Sequence, residues 1–237
     1  MSSRLLTALF AATALVSVAC NDSTGISAGQ AANVRIVNAS PAVGTLGVAV
    51  NGTTQTNASN VGFLAASDQC VRVSATNPQF ALQQTGGTVT LPTNTTFTFD
   101  QGGRNTVVVS GTSATNLRVT TVSDPLTPAL QAGLARLRVF NATTRATAMD
   151  AVVTPWSATS GTVFANLNTT TNPVSTWFDV PAGGTVQVRL NNTGTQTTVD
   201  IINLVLTEGQ ELTLVAVDPA SGSTGLRWIV SAACRAP

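Results

Sequence analysis

The feature that most constrains this chain is that it repeats itself. VRIVNAS at 34–40 lines up with LRVFNAT at 137–143, matching Val34 to Leu137, Arg35 to Arg138, Ile36 to Val139 and Asn38 to Asn141. FTFDQGGRNTVVV at 97–109 lines up with LVLTEGQELTLVA at 204–216, matching Gly102 to Gly209 and Thr106 to Thr213, and NLRV at 116–119 lines up with GLRW at 225–228. Three matches in one order, with offsets that grow only from 103 to 109, indicate tandem duplication. A weaker fourth match sets CVRV at 70–73 beside QVRL at 187–190, and it requires surplus residues in the first copy, placed at 76–94. Whatever one copy folds into, the chain has to do twice.

Each copy reads as β-strands. In TVQVRL at 185–190, Val186, Val188 and Leu190 face one way and Thr185, Gln187 and Arg189 the other, the two-residue period of a half-buried strand. Threonine is about one residue in six, and its branched Cβ with a wettable hydroxyl suits the outer face of a sheet. Turn signals recur at short spacing: NG at 51–52, GG at 86–87 and 102–103, PAGG at 181–184 and SGSTG at 221–225. These signals predict an all-β chain of two tandem antiparallel β-sandwiches, immunoglobulin-like or transthyretin-like, with about seven short strands each. A single closed barrel built from both copies is the alternative. The expected limits are 33–123 for the first sandwich, 124–132 for a proline-bearing linker with at most one helical turn, and 133–237 for the second.

Three stretches carry a family resemblance: ANVRIVNASP at 32–41, WFDVPAGGTVQVRL at 177–190 and LTEGQELTLVAVD at 206–218, the last read as a hairpin. They resemble the bacterial domain of unknown function DUF4397, over nearly all of 32–233. That resemblance implies a secreted or surface-tethered β-sandwich, often in tandem. It implies no catalytic residues, because its motifs are framework positions.

The N-terminus reads as an export signal. Arg4 precedes the uncharged run Leu5–Val18, which is shorter than a membrane span and ends in small residues. SVAC at 17–20 resembles the lipobox of bacterial lipoproteins, with Ser17 where that motif usually has Leu. The resemblance makes 1–19 a cleaved signal peptide, Cys20 the lipidated first residue, 20–32 a flexible tether and a membrane the first partner. Ordinary cleavage, which leaves Cys20 as a thiol, is the alternative.

Composition narrows the chemistry. The 237 residues include no His and no Tyr, and all eleven basic residues are Arg, set against ten acids. Imidazole bases, imidazole metal ligands and Schiff-base lysines are thereby excluded. Near-neutral charge and dispersed arginines, apart from Arg136 and Arg138 on one strand face, argue against nucleic acid. No sequence pattern points to a cofactor or a metal ion, and no catalytic residue stands out. A two-carboxylate hydrolase remains formally open, but the acids are scattered. Glu208 and Glu211 read as solvated turn residues, and Asp124 and Asp218, each before a proline, as turn initiators. With Cys20 lipidated, Cys70 and Cys234 form an even pair in an oxidising compartment, which favours a bridge worth about 4 to 5 kcal/mol over free thiols or pairing between chains. Of the indoles, Trp177 and Trp228 read as packing residues, and Trp156, in a Ser/Thr-rich loop, as the candidate contact for a glycan or peptide. The expected function is an envelope-anchored, non-enzymatic structural or interaction module whose partners are envelope proteins or glycans.

Overall fold

The computed structural model describes residues 30–234 apart from 77, 93–94, 125–128, 146, 156–160 and 221–224. Cys20 and Trp156 lie outside the described residues. The fold is all-β. The first half contributes β1 (Ala31–Ala39), β2 (Val43–Val50), β3 (Thr53–Thr54), β4 (Ala65–Ala66), β5 (Val71–Ser74), β6 (Phe80–Gly87), β7 (Arg104–Ser110) and β8 (Arg118–Asp124). The second contributes β9 (Leu134–Asn141), β10 (Ala148–Pro155), β11 (Thr162–Asn168), β12 (Phe178–Pro181), β13 (Thr185–Asn192), β14 (Thr198–Val205), β15 (Glu211–Val217) and β16 (Arg227–Ala232). Ala31 and Ala32, assigned to the tether by sequence, are buried and open β1.

The strands form four sheets. An inner sheet of the first half runs β4-β1-β7-β8 with β5 also on β1, and it faces an outer sheet β3-β2-β6. An inner sheet of the second half runs β12-β9-β15-β16 and faces an outer sheet β11-β10-β13-β14. Val34, Ile36, Val107 and Val109 join Leu46, Val48 and Phe80 in one core. Leu137, Val139, Leu212 and Leu214 join Met149, Val188 and Leu190 in another. A third apolar cluster lies between the inner sheets, where Val37, Ala39, Val108 and Val122 meet Phe140, Val215, Val217 and Ile229. The layers therefore stack as outer, inner, inner, outer, and the inner sheets are covered on both faces.

That double burial explains β7 and β15. RNTVVVS is buried at every position and ELTLVAV at every position after Glu211, as expected of strands with no solvent face. Each also runs parallel to the first strand of its half, β7 beside β1 with Ile36 opposite Val107 and β15 beside β9 with Val139 opposite Leu214. The sandwiches are thus not purely antiparallel. A parallel pair needs a long crossover, and here the outer sheet of each half supplies it.

Two sequence alignments change. CVRV at 70–73 ends in β5, paired with β1, whereas QVRL at 187–190 lies in β13, paired with β10. The strand in the place of β5 is β12: Val71 lies opposite Val34 as Phe178 lies opposite Leu137. Val71 and Phe178 are then as far apart as Thr106 and Thr213, so the first copy holds no surplus at 76–94. It differs by leaving 91–99 without a strand, apart from the undescribed 93–94, where the second copy has β14. LTEGQELTLVAVD is not a hairpin either. β14 belongs to the outer sheet and β15 to the inner one, and 206–210 cross between them.

Candidate functional site: the charged seam between the halves

The densest set of charged side chains lies where the inner sheets meet. Residues of β7, β9 and β15 alternate, so that Val107, Leu137 and Leu214 point into their own sandwiches while Arg104, Thr106, Arg136, Arg138, Glu211 and Thr213 point across the seam. Arg104 is ion-paired with Glu211. Arg136 takes Glu211 at 3.5 Å and clamps Asp179 of β12 through Nε at 2.6 Å and a second nitrogen at 3.3 Å. Arg138 pairs with Asp124, at the end of β8, with one N–H···O contact of 3.0 Å. Its Nε donates to the Thr213 hydroxyl at 2.8 Å and another nitrogen reaches the Thr106 hydroxyl at 3.5 Å. The two threonines matched by the repeat thus bind one guanidinium. Trp177 lies under it, with the ring centroid 4.5 Å from the central carbon.

Burial dominates the electrostatics. Asp124 has no exposed surface. Burial pushes its carboxyl above the ordinary range, against the pull of Arg138 and Arg104, and burial likewise lowers Arg138. Arg136, hydrogen-bonded to Asp179, moves the other way and holds its proton more tightly. Arg35, the match of Arg138, has a different task, since its guanidinium donates to the Ser67 carbonyl at 2.7 Å. The two arginines at matched positions therefore have different partners, and the seam is symmetric in its strands but not in its charges.

A disulfide closes the charged end. Cys70, directly before β5, and Cys234, after β16, are bonded with their α-carbons 6.0 Å apart, which joins the halves covalently. Arg104 also approaches the Cys234 carbonyl at 3.5 Å.

Several residues do not have the roles expected from sequence. Glu211 is a seam ion-pair residue, not a solvated turn acid. Asp124 and Asp218 are buried acceptors, and Asp218 takes both the backbone N–H and the hydroxyl of Thr144 at 2.6 Å. The signal available in the sequence was the scarcity of charge: in a chain with so few acids, one beside a buried strand is more often paired than solvated. Trp177 and Trp228 pack as expected, Trp177 beneath Arg138 and Trp228 against the second core. Asn38, which opens an Asn-Ala-Ser sequence at 38–40, is buried and donates to the carbonyls of Gly44 at 2.8 Å and Val61 at 3.1 Å.

Clefts lie elsewhere. One of about 370 Å³ at the open side of the second sandwich is lined by Phe178, Val180, Pro181 and Val186, with Asp179 on its wall. Another, of about 410 Å³, sits between the halves and is lined by Pro41, Thr88, Thr112, Thr144, Arg145 and Asp218. Each is lined by one carboxylate. Among the described residues no three His, Cys, Asp or Glu side chains are grouped to hold a metal ion, and no helix is long and apolar enough to cross a membrane.

A comparison with curated proteins found no match. The family model described as a domain of unknown function, DUF4397, matches residues 32–152, just over half of the chain. The match takes in the opening ANVRIVNASP, all of the first half, β9 and the start of β10, and stops short of 177–190 and 206–218. With more than half of its length under that model, the chain belongs to the DUF4397 family.

Proposed function

We propose that this chain is an exported, lipid-anchored, non-enzymatic module of the bacterial envelope, a tandem of two sandwich units that presents loops and faces to other envelope components from a rigid body. The observation that carries the reading is the seam. Two ion pairs, Arg104–Glu211 and Arg138–Asp124, and a disulfide join the halves, and an apolar cluster completes the contact. Such a contact fixes the angle between units, which is what a spacer or display scaffold requires, whereas a hinged enzyme needs its units to move. The N-terminal sequence supports export and acylation at Cys20.

The test is metabolic labelling with a radioactive fatty acid in a bacterial host. Label on the wild-type chain, its loss in Cys20→Ser and accumulation of precursor under globomycin are expected. An unlabelled mature chain whose processing is indifferent to globomycin would sink the anchoring claim.

A second reading, glycan or peptide binding, draws on the cleft beside Phe178. Thr162 lines it, six residues after Trp156 in the chain. Glycan-array binding that falls in Trp156→Ala and Phe178→Ser would favour it, and arrays without signal would leave the scaffold alone.

A further inference from the structure

β14 is the last strand of its sheet, and its outer edge is open. Ile201 and Val205 project from its outward face at 42% and 72% exposure. The pairing with β13, Val188 opposite Ile202 and Val186 opposite Leu204, continues to Leu206, whose N–H bonds to Gly184. Alternation then turns the backbone groups of Ile201, Asn203 and Val205 away from the sheet. The Ile201 N–H bonds to the neighbouring Asp200 carboxylate at 2.7 Å, consistent with an outward direction.

Several other edges are guarded, although β11, with no proline, no charge and Val163 half exposed, is as open as β14. β3 and β4 are two residues long, and β12 carries Pro181 and the ion-paired Asp179. β6, as long as β14, is covered by the residues after it, since the Gln84 side chain bonds the Val89 carbonyl at 2.6 Å and the Leu91 N–H at 2.9 Å. In the first half the stretch matching β14 contains Pro92, which has no N–H for a ladder. β14 contains no proline and its outward face carries no charge; its one acid, Asp200, turns inward and accepts the N–H of Leu226 at 2.8 Å besides that of Ile201, and the bulge in its pairing with β13 lies at the Thr198 end.

The strand is also self-complementary. Laid antiparallel on a second β14 about a two-fold axis at Asn203, it sets Ile201 against Val205 twice, Asn203 against itself, and no charge against a like charge. Asn203 already accepts from Gln187 at 3.1 Å, so its carboxamide is oriented along the face. We infer that β14 is a self-association edge, through which two copies of this chain join their outer sheets into one continuous antiparallel sheet. A two-fold contact of this kind closes on itself and gives dimers. The inference is independent of the lipid anchor, because it concerns a surface on the folded part.

Analytical ultracentrifugation of the purified chain over its soluble concentration range should show a monomer–dimer equilibrium. Val205→Lys, which sets a charge against Ile201 of the other copy, and Asn203→Pro, which deletes an outward N–H, should each weaken it at least about tenfold while leaving the circular dichroism unchanged. Val205→Lys carries the test should Asn203→Pro fail to fold. Asn203→Cys should cross-link into dimers on oxidation, whereas Thr198→Cys, which faces Glu208 of the other copy in this register, should not. A monomer throughout, a dimer indifferent to Val205→Lys, or equal cross-linking at both positions would overturn the inference.

Discussion

Asn38 shows how a residue can mislead as a motif and make sense as chemistry. It is followed by Ala39 and Ser40, the pattern of a glycan acceptor. Its carboxamide instead ties the end of β1 to the Gly44 and Val61 carbonyls and accepts the Ser40 N–H at 3.2 Å. Its match Asn141 accepts the N–H and hydroxyl of Thr143 in the same way. Asn38→Ala should cost about 1–3 kcal/mol, because it leaves buried backbone groups without partners, and a denaturant titration reads this directly. Asp124 makes a prediction with an unusual sign. Its folded carboxyl is raised above the ordinary range, so it favours folding most at pH below that range and loses this contribution as pH rises through the raised value. Melting curves against pH should show wild type losing ground to Asp124→Asn as pH rises through the carboxylate range; the opposite slope would mean that the ion pair outweighs burial. Arg138→Met alone strands Asp124 and should cost about 3–5 kcal/mol, while adding Asp124→Leu should recover most of that loss.

At the scale of elements, strand type was readable and strand partnership was not. Alternation in TVQVRL and the NG turn at Asn51–Gly52 are local, and the structure has β13 and a tight β2–β3 turn with both residues at positive φ. A short apolar run such as Val107–Val109 is compatible with any buried strand, so the parallel placement of β7 beside β1 was not legible. The supposed hairpin at 206–218 failed for a related reason: five residues can reverse a strand within a sheet or step it to the facing one, and only packing chooses. One close approach lies in the first half, at Gly44. A Cβ on Gly44 would lie 2.3 Å from the Thr85 carbonyl oxygen, where β2 meets β6. Gly44→Ala should therefore destabilise by about 1–3 kcal/mol although alanine is the better strand former, and thermal melts would detect it.

For the whole molecule, the seam predicts how the halves unfold. An apolar cluster, a charged cluster and a disulfide shared between two sandwiches couple their stabilities, so calorimetry should show one transition. Phe140→Asp, which buries a charge in the apolar part, should split it into two. Replacing Cys70 and Cys234 together by Ser should cost about 2–5 kcal/mol, and identical midpoints for variant and wild type would show that noncovalent contacts already fix the halves.

The matched stretches of the two halves, the β character, the cysteine pair and the export-like N-terminus were all present in the order of residues, because each depends on neighbours or on parity. The family resemblance belongs with them, though the family match reaches only to residue 152. The seam was not. Arg104 and Glu211 are 107 residues apart and Cys70 and Cys234 are separated by 164, and duplicated sequence suggests equal roles where the structure has unequal ones. Arg35 and Arg138 are the same residue in the same motif. One ends on a local carbonyl and the other in a buried ion pair, because only the stacking of two inner sheets brings Asp124 and Thr106 of the first half to the second arginine.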